Sequence, residues 1–211
     1  RCGVSLLFCK DMDEKERYVK VMGWFQKNMP NAKSELNFNN YFELLVAVML
    51  SAQCTDARVN IVTPSLFSVY PDAFSMAKAT EKEIYELIKS ISYPNSKAKH
   101  LLEAARKLAN DFGGVVPSTM EELTSLPGVG RKTANVMLAV AFGKPAMPVD
   151  THVFRVSRRI GFTPNSKTPE ETERILTSNI PSEMLSDAHH WILLHGRYVC
   201  TAKKPKCEEC G

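Results

Sequence analysis

The chain has 211 residues, 44% of them hydrophobic and 24% charged, with 27 lysines and arginines against 23 aspartates and glutamates. This is the composition of a globular protein that can bury a core, and it excludes intrinsic disorder, collagen and a coiled coil. The longest apolar run, Leu44 to Leu50, is far shorter than the roughly 20 residues that span a bilayer, so we expect no transmembrane helix.

We interpret residues 1–11 as an extension that lies outside the fold. The segment from Gly3 to Phe8 is apolar, but it is too short for the core of a signal peptide and no clear small-residue cleavage site follows it. An acidic, helix-like run begins after Met12.

The pattern from Met12 onward predicts an all-α fold, because few windows show the strict alternation of a half-buried strand. Tyr41 to Leu50 is apolar on all sides, with Asn39 or Asn40 available as N-cap, which is typical of a helix buried in the middle of a protein. Thr80 and Glu83 have the spacing of a capping box at the start of an amphipathic helix.

Further helix boundaries follow along the chain. Lys97 to Phe112 has an amphipathic pattern and stops at two glycines, where a left-handed cap is favourable. Ser118 and Glu121 have the spacing of a second capping box. The segment from Thr168 to Glu171 starts another helix with an N-cap, a proline and two acids.

The segment Leu126 to Leu138, LPGVGRKTANVML, is the most informative stretch. One helix ends at Pro127 and another begins beside Gly130, which predicts a helix-hairpin-helix. Gly128 and Gly130 have no β-carbon, so the turn can be tight and its free amides can approach a phosphate oxygen closely. A glycine-rich turn taken alone is more often only a connection between two helices.

Lys132 and Asp150 are candidate catalytic residues. Lys132 lies in the first turn of the second hairpin helix, where the helix dipole favours the neutral, nucleophilic amine that Schiff-base chemistry requires. A phosphate-pairing cation is the simpler interpretation. Asp150 follows 18 residues later as the N-cap of another helix. A carboxylate there could also stabilise a sugar carbon that becomes cationic.

The net charge of +4 is too small to indicate a polyanionic partner, but its distribution is uneven. Between Val129 and Phe162, six cations accompany a single acid, and from Gly196 to Lys206 four cations accompany none. The first six are Arg131, Lys132, Lys144, Arg155, Arg158 and Arg159. Such a surface would suit a phosphate backbone, although a solvated basic face with no partner explains the charge as well.

Six cysteines are present, and three of them, Cys200, Cys207 and Cys210, lie close to the end of the sequence. This is not the distribution of a disulfide framework in a secreted domain, so we expect a reducing, cytoplasmic compartment. Two closely spaced cysteine pairs, as in zinc knuckles, would have favoured a zinc site.

Taken together, four segments resemble the endonuclease III family, bifunctional DNA glycosylases of the helix-hairpin-helix superfamily. The segments are FELLVAVMLSAQCTD (Phe42 to Asp56), LPGVGRKTANV (Leu126 to Val136), VDTHVFRV (Val149 to Val156) and HHWILLHGRYVCTAKKPKCEEC (His189 to Cys210). The resemblance covers the chain from about Glu35 to its end.

The resemblance implies an enzyme of base excision repair that removes oxidised or damaged pyrimidines from duplex DNA and then nicks the strand. Its Schiff-base lysine falls on Lys132 and its catalytic aspartate on Asp150. The damaged base would be flipped into a pocket. Lys132 would attack C1′ while Asp150 stabilises the sugar cation, and the resulting imine would permit β-elimination of the 3′ phosphate.

The resemblance also implies which residues contact DNA. Gln53 would fill the hole left by the flipped base. Tyr93, where the family usually has an apolar wedge, would wedge or stack on an exposed base. The other expected contacts are Leu126, Gly128, Val129, Gly130, Arg131, His152, Lys203 and Lys204.

The spacing C-x6-C-x2-C of Cys200, Cys207 and Cys210 matches three-quarters of the family's signature for a 4Fe-4S cluster. The resemblance implies a fourth cysteine ligand beyond residue 211, and a cluster with only three protein thiolates is the alternative. We expect the cluster to act as a structural clasp rather than as a redox catalyst.

We therefore predict two all-α lobes with a DNA-binding groove between them. A helical domain spans 34–144 and carries the hairpin at about 118–142, and a discontinuous iron-sulfur cluster domain consists of 12–33 and 145–211. The expected protein is a monomer associated with the nucleoid, and its expected partner is duplex DNA with a damaged base or an abasic site. The alternatives are a related glycosylase for another damaged or mismatched base, and a non-catalytic hairpin module that binds DNA.

Overall fold

The computed structural model describes residues 12–210, so the predicted extension at residues 1–11 lies outside the described residues. Within 12–210 the secondary structure is helical, with eleven α-helices and no strand, which confirms the all-α prediction. The helices are α1 (Glu14–Asn28), α2 (Tyr41–Ser51), α3 (Asp56–Val69), α4 (Ala73–Ala77), α5 (Glu81–Ile88), α6 (Pro94–Asp111), α7 (Met120–Thr124), α8 (Arg131–Val136), α9 (Thr151–Arg159), α10 (Pro169–Asn179) and α11 (Leu185–Tyr198). None of these helices is both long and apolar enough to cross a membrane.

Two compact units make up the described chain. Residues 35–142 contain α2 to α8 and are called the hairpin unit. Residues 12–34 and 143–210 contain α1 and α9 to α11 and are called the cysteine unit.

The hairpin unit is built around α2. Every residue from Phe42 to Leu50 is buried, and α3, α6, α8 and the π-helix Met137–Ala141 that continues α8 all pack against α2. Of the two candidate N-caps, Asn40 is the one used, and its side chain accepts a hydrogen bond of 2.9 Å from the Glu43 amide. The buried central helix is confirmed.

Local capping signals place most of the boundaries in this unit. The capping box at the start of α5 is confirmed, because Thr80 accepts from the Glu83 amide and the Glu83 carboxylate accepts from the Thr80 amide. At the end of α6, Gly113 and Gly114 both have positive φ, and the Gly114 amide donates to the Leu108 carbonyl at 2.8 Å.

The capping box predicted at Ser118 and Glu121 is wrong by one residue. Helix α7 begins at Met120 with Thr119 as its N-cap, and the Thr119 hydroxyl accepts from the Glu122 amide at 3.3 Å. The two overlapping pairs have the same spacing, so spacing alone could not separate them. The observed register places Leu123, whose amide donates to the Thr119 carbonyl, in the core.

The core of the cysteine unit combines α1 with residues from the second half of the chain. Tyr18 of α1 stacks on Phe162 with 4.1 Å between ring centroids, and Trp191 of α11 donates to the Met29 carbonyl at 2.8 Å. Helices α9 and α11 pack closely at Gly196, where an added β-carbon would lie 2.9 Å from Val156.

Candidate functional site

The hairpin turn joins α7 to α8 and is anchored by two buried side chains. Leu126 and Val129 are both buried, and the Val129 amide donates to the Leu126 carbonyl at 3.0 Å. Gly128 has φ +77° and Gly130 is the extended N-cap of α8, and both are exposed. The side chains of Leu126 and Val129 therefore belong to the core and are not part of an exposed surface.

Gly128 also lies against α6. A β-carbon at this position would lie 2.7 Å from the β-carbon of His100, which is closer than non-bonded carbons approach. The positive φ and the close helix together require a glycine at this point of the turn.

The two cations that follow the turn are exposed. Arg131 and Lys132 occupy the first turn of α8, whereas Ala134, Asn135 and Val136 are buried. The helix is therefore fixed by its inner face, and Lys132 is presented to solvent at the end that begins with free amides.

The two residues expected to fill the hole of a flipped base share an unusual backbone. Gln53 and Tyr93, with φ 54° and 57°, are the only non-glycine residues of the described chain with positive φ. Both side chains are exposed, Tyr93 to 64%. A left-handed conformation costs a non-glycine residue about 1–3 kcal/mol, and such residues cluster at functional sites.

Gln53, Tyr93 and Gly128 meet at one cleft of the hairpin unit. The cleft has a volume of about 260 Å³. Its lining residues are Met49, Ala52, Gln53, Tyr93, Ser96, Lys97, His100, Leu101 and Gly128. The structure thus brings both expected plugs and the hairpin turn to the same opening.

Lys97 is a cleft residue that sequence reasoning missed. It is only 9% exposed, and its ammonium group donates to the carbonyls of Leu50 at 2.8 Å and Ala52 at 2.6 Å. Burial lowers the pKa of Lys97, and the neighbouring Cys54 opposes that change. The available signal was a lysine four residues before Leu101, on the apolar stripe of α6.

Asp150 is the N-cap of α9, as predicted. Its Oδ1 accepts hydrogen bonds from the amides of His152 at 2.9 Å and Val153 at 2.8 Å. Both bonds use one carboxylate oxygen, so the cap fixes the orientation of the side chain. Asp150 and His152 belong to the cysteine unit, whereas Lys132 belongs to the hairpin unit.

Two cations of the predicted basic surface are structural instead. Arg155 Nη2 donates to the carbonyls of Gly196 at 2.8 Å and Cys200 at 3.1 Å, and Arg159 Nη1 donates to the Thr201 carbonyl at 2.7 Å. Both side chains are half-buried. The sequence could not reveal this, because their partners lie more than 40 residues away.

Two of the candidate metal ligands lie beside nitrogen atoms of neighbouring side chains. Arg159 Nη1 lies 3.5 Å from the buried Cys200 sulfur, and the Cys210 sulfur lies 3.6 Å from Nε2 of the buried His195. Burial lowers the pKa of His195.

The three cysteines are nevertheless not arranged as a metal site. Cys207 is disulfide-bonded, whereas Cys200 and Cys210 do not take part in a disulfide. Within residues 12–210 no three cysteine, histidine or carboxylate side chains are grouped as metal ligands. Lys203 and Lys204, between the first two cysteines, are exposed.

Residues 46–182 match the family described as HhH-GPD superfamily base excision DNA repair protein. Endonuclease III of Rickettsia felis is 48% identical over 90% of this chain and 89% of the relative. Endonuclease III of Escherichia coli K12 is 43% identical over 93% of this chain and 92% of the relative.

Two solved structures are similar to this chain over most of its length. One is a trapped endonuclease III–DNA covalent intermediate with an estranged adenine, and the other is a non-covalent endonuclease III–DNA complex. Each has 43% sequence identity and a TM-score of 0.90, covering 94% of this chain and 93% of that chain.

Proposed function

The chain belongs to the endonuclease III family of the HhH-GPD superfamily of base excision DNA repair proteins, and on that premise we propose how its residues excise a base and cut the strand. It is a DNA glycosylase and abasic-site lyase that acts on duplex DNA. We propose oxidised or damaged pyrimidines as its substrates and the nucleoid as its place of action. The observation that carries the proposal is the cleft where two strained, exposed residues meet the hairpin turn.

Lys132 is the proposed nucleophile. Its Nζ attacks C1′ of the flipped nucleotide, and the N-glycosidic bond breaks with its electron pair leaving on the base. Opening of the sugar ring then gives an imine between Nζ and C1′. Loss of a proton from C2′ expels the 3′ phosphate and cuts the strand. The exposed position of Lys132 in the first turn of α8 suits this role, and a covalent endonuclease III–DNA intermediate has been trapped in a similar structure.

Asp150 is the proposed electrostatic partner of that reaction. Positive charge develops on the sugar as the base leaves, and a fixed carboxylate facing it stabilises the transition state. The amides of His152 and Val153 hold one carboxylate oxygen, so the side chain is oriented before DNA binds. This preorganisation is what makes an electrostatic contribution effective.

Gln53 and Tyr93 are the proposed plugs of the flipped state. A base cannot be reached inside the duplex, and its extrusion leaves an unstacked gap. Gln53 supplies a polar side chain to the gap, and Tyr93 supplies a ring that can stack on a neighbouring base. Their left-handed backbones present both side chains at the mouth of one cleft.

The hairpin and its basic neighbours are the proposed phosphate contacts. Amides of the turn from Leu126 to Gly130 are available at the start of α8, where free N–H groups favour an anion. Arg131, Lys203 and Lys204 are exposed cations that can pair with the backbone. His152 follows Asp150 in the first turn of α9 and is proposed to contact the strand there.

Cys200, Cys207 and Cys210 are proposed ligands of a 4Fe-4S cluster, with a fourth cysteine beyond residue 211. Soft thiolates are the ligands that such clusters use, and Cys200 and Cys210 both lie within residues 12–210 without a disulfide. Cys207 must be reduced for this role. When bound, the cluster supplies a crosslink between chain segments.

Incision of lesion-containing oligonucleotides tests the proposal. The protein is incubated with duplexes that carry one dihydrouracil or no lesion, and strand cleavage is followed without alkali. We expect cleavage of the damaged duplex alone, leaving an unsaturated aldehyde at the 3′ end. Asp150→Asn should excise the base about 100-fold more slowly. Tight binding without any product would indicate the non-catalytic hairpin module, and cleavage only after alkali would contradict the lyase assignment.

A further inference from the structure

We propose that Lys97 is a positioning residue that holds Gln53 and Tyr93 in place at the mouth of the cleft. The inference rests on the proposed plug function of those two residues and extends it to the group that organises them. Lys97 does not contact the reacting atoms in this scheme; it acts through the two residues that do fill the gap.

The ammonium group of Lys97 binds the end of α2, directly before Gln53. It donates to the carbonyls of Leu50 and Ala52 at 2.8 and 2.6 Å. The last carbonyls of a helix have no partners within the helix and carry partial negative charge. A cation therefore closes this helix end, and the chain leaves it at Gln53 with φ 54°.

The backbone of the same residue binds Tyr93. The Lys97 amide donates to the Tyr93 carbonyl at 3.2 Å, in the first turn of α6. Tyr93 is the N-cap of that helix and its own side chain makes no cap bond, so the bonds to its carbonyl, from the Lys97 amide and from the Ser96 hydroxyl at 3.3 Å, hold it to the first turn. A single residue thus links the segment that carries Gln53 to the segment that carries Tyr93.

Burying the Lys97 ammonium group costs more free energy than a purely structural contact would require. Lys97 is 9% exposed on the inner face of α6, beside the apolar residues Ala98 and Leu101. Lysine is almost never buried unless it is paired, and its partners here are two main-chain carbonyls. Methionine would fill the same space without the cost of removing an ammonium group from water. The charge is therefore best explained by what it holds, which is the strained segment after α2.

Substitution of Lys97 by methionine tests the role. Lys97→Met keeps an unbranched side chain of similar bulk, one heavy atom shorter, but removes its charge and its donors. We expect excision of dihydrouracil from duplex DNA to fall about 10- to 100-fold, the size of effect that misplacement by about 1 Å can cause. Binding to undamaged duplex should stay within about twofold. The matched control is Lys99→Met, which removes an exposed lysine of the same helix whose carboxylate partner, Glu103, lies 3.9 Å away.

Two further measurements separate positioning from a role in folding. In the Gln53→Ala/Tyr93→Ala background, Lys97→Met should add no more than about a twofold loss, because Lys97 acts through those residues. Lys97→Arg keeps the charge and the donors and should recover most of the excision rate. A full multiplicative loss in the triple variant, equal defects in Lys97→Arg and Lys97→Met, or unfolding of Lys97→Met at 25 °C would each overturn the proposal.

A fluorescent reporter distinguishes this proposal from the proposed function. A duplex with 2-aminopurine opposite a tetrahydrofuran abasic analogue reports plug insertion without any chemistry. Lys97→Met should lower the fluorescence change on binding, as Gln53→Ala does, while Lys132→Gln should preserve it. Absence of excision by the unmodified protein would refute the glycosylase function alone, whereas an unchanged fluorescence signal in Lys97→Met would refute the role of Lys97 alone.

Discussion

Single residues at the cleft carry most of the proposed recognition of the flipped state. Gln53 and Tyr93 are exposed and make their contribution only when a base has left the stack. Their removal should therefore reduce activity on damaged DNA without changing the affinity for intact DNA.

Replacing either plug by alanine should weaken cleavage of a lesion-containing duplex. Tyr93→Ala should lose roughly 1–3 kcal/mol of stacking, measured as the change in kcat/KM, while affinity for undamaged duplex changes little. Tyr41→Ala, which removes another exposed tyrosine of the hairpin unit, is the control. Equal losses on damaged and undamaged duplex would instead make Gln53 and Tyr93 residues of the fold.

The left-handed backbone of Gln53 leads to a separate prediction about stability. Glycine adopts positive φ without strain, whereas alanine keeps the strain of the original residue. The free energy of unfolding of Gln53→Gly should therefore be about 1 kcal/mol higher than that of Gln53→Ala. Both variants should lose excision activity. Urea denaturation of the two variants measures the difference. A Gln53→Ala variant at least as stable as Gln53→Gly would contradict the left-handed conformation.

At the scale of elements, the hairpin turn combines two requirements that one pair of variants can separate. Gly128 needs its positive φ and its close contact with His100, whereas Gly130 has φ −91° and open space around its missing β-carbon. Gly128 is therefore required for the fold of the turn, whereas a side chain at Gly130 would affect only a molecule that approaches the turn from solvent.

Gly128→Ala should destabilise the protein by at least about 1–2 kcal/mol of backbone strain, with the contact to His100 adding to this. Gly130→Ala should leave the thermal unfolding temperature near that of the unmodified protein but lower the affinity for DNA, because the added methyl group blocks close approach of a phosphate. Calorimetry and a binding titration at fixed salt measure the two effects. Unchanged affinity in Gly130→Ala would exclude a phosphate at that amide.

Elements that depend on neighbouring residues were the ones that sequence could predict. Thr80 with Glu83, Asn40 and Asp150 act within one turn of their own helices, so spacing and residue type suffice. The N-cap of α7 is Thr119 and not Ser118, because Ser118 with Glu121 and Thr119 with Glu122 have the same spacing.

Contacts between distant elements were beyond prediction for a physical reason. Lys97 meets carbonyls 45 and 47 residues away, and main-chain carbonyls leave no residue-specific pattern in a sequence. Arg155 and Arg159 also bind distant main-chain carbonyls, so the sequence alone predicts them as surface charges. The left-handed backbones of Gln53 and Tyr93 were also unforeseen, because neither residue is glycine or asparagine, the types that favour this conformation.

At the scale of the whole molecule, the two proposed catalytic residues belong to different units. The hairpin unit carries Lys132 and the cleft, and the cysteine unit carries Asp150 and the cysteines. Asp150 caps α9, and α9 is held to the segment at Cys200 by Arg155 and Arg159. Conditions that change the structure around Cys200 should therefore also change the position of α9, the helix that Asp150 caps.

The proposed cluster predicts a colour. Purified under anaerobic and reducing conditions, the full chain should be brown, because thiolate-to-iron charge transfer accompanies an iron-sulfur centre. Cys207→Ala should lose the colour together with thermal stability and DNA affinity, since metal binding is linked to folding. Cys54→Ala, which removes a free cysteine of the hairpin unit, should keep all three. A colourless preparation with stoichiometric zinc would refute the assignment.

Trapping with borohydride detects the proposed covalent imine at Lys132. The protein is mixed with a duplex that contains one abasic site, borohydride is added, and crosslinking is read as a gel shift that survives denaturation. The unmodified protein and Arg131→Ala should both give the crosslink, with Arg131→Ala needing more protein at higher salt. Lys132→Gln should bind the duplex through the hairpin but give no crosslink. A crosslink that persists in Lys132→Gln would show that Lys132 is not the nucleophile.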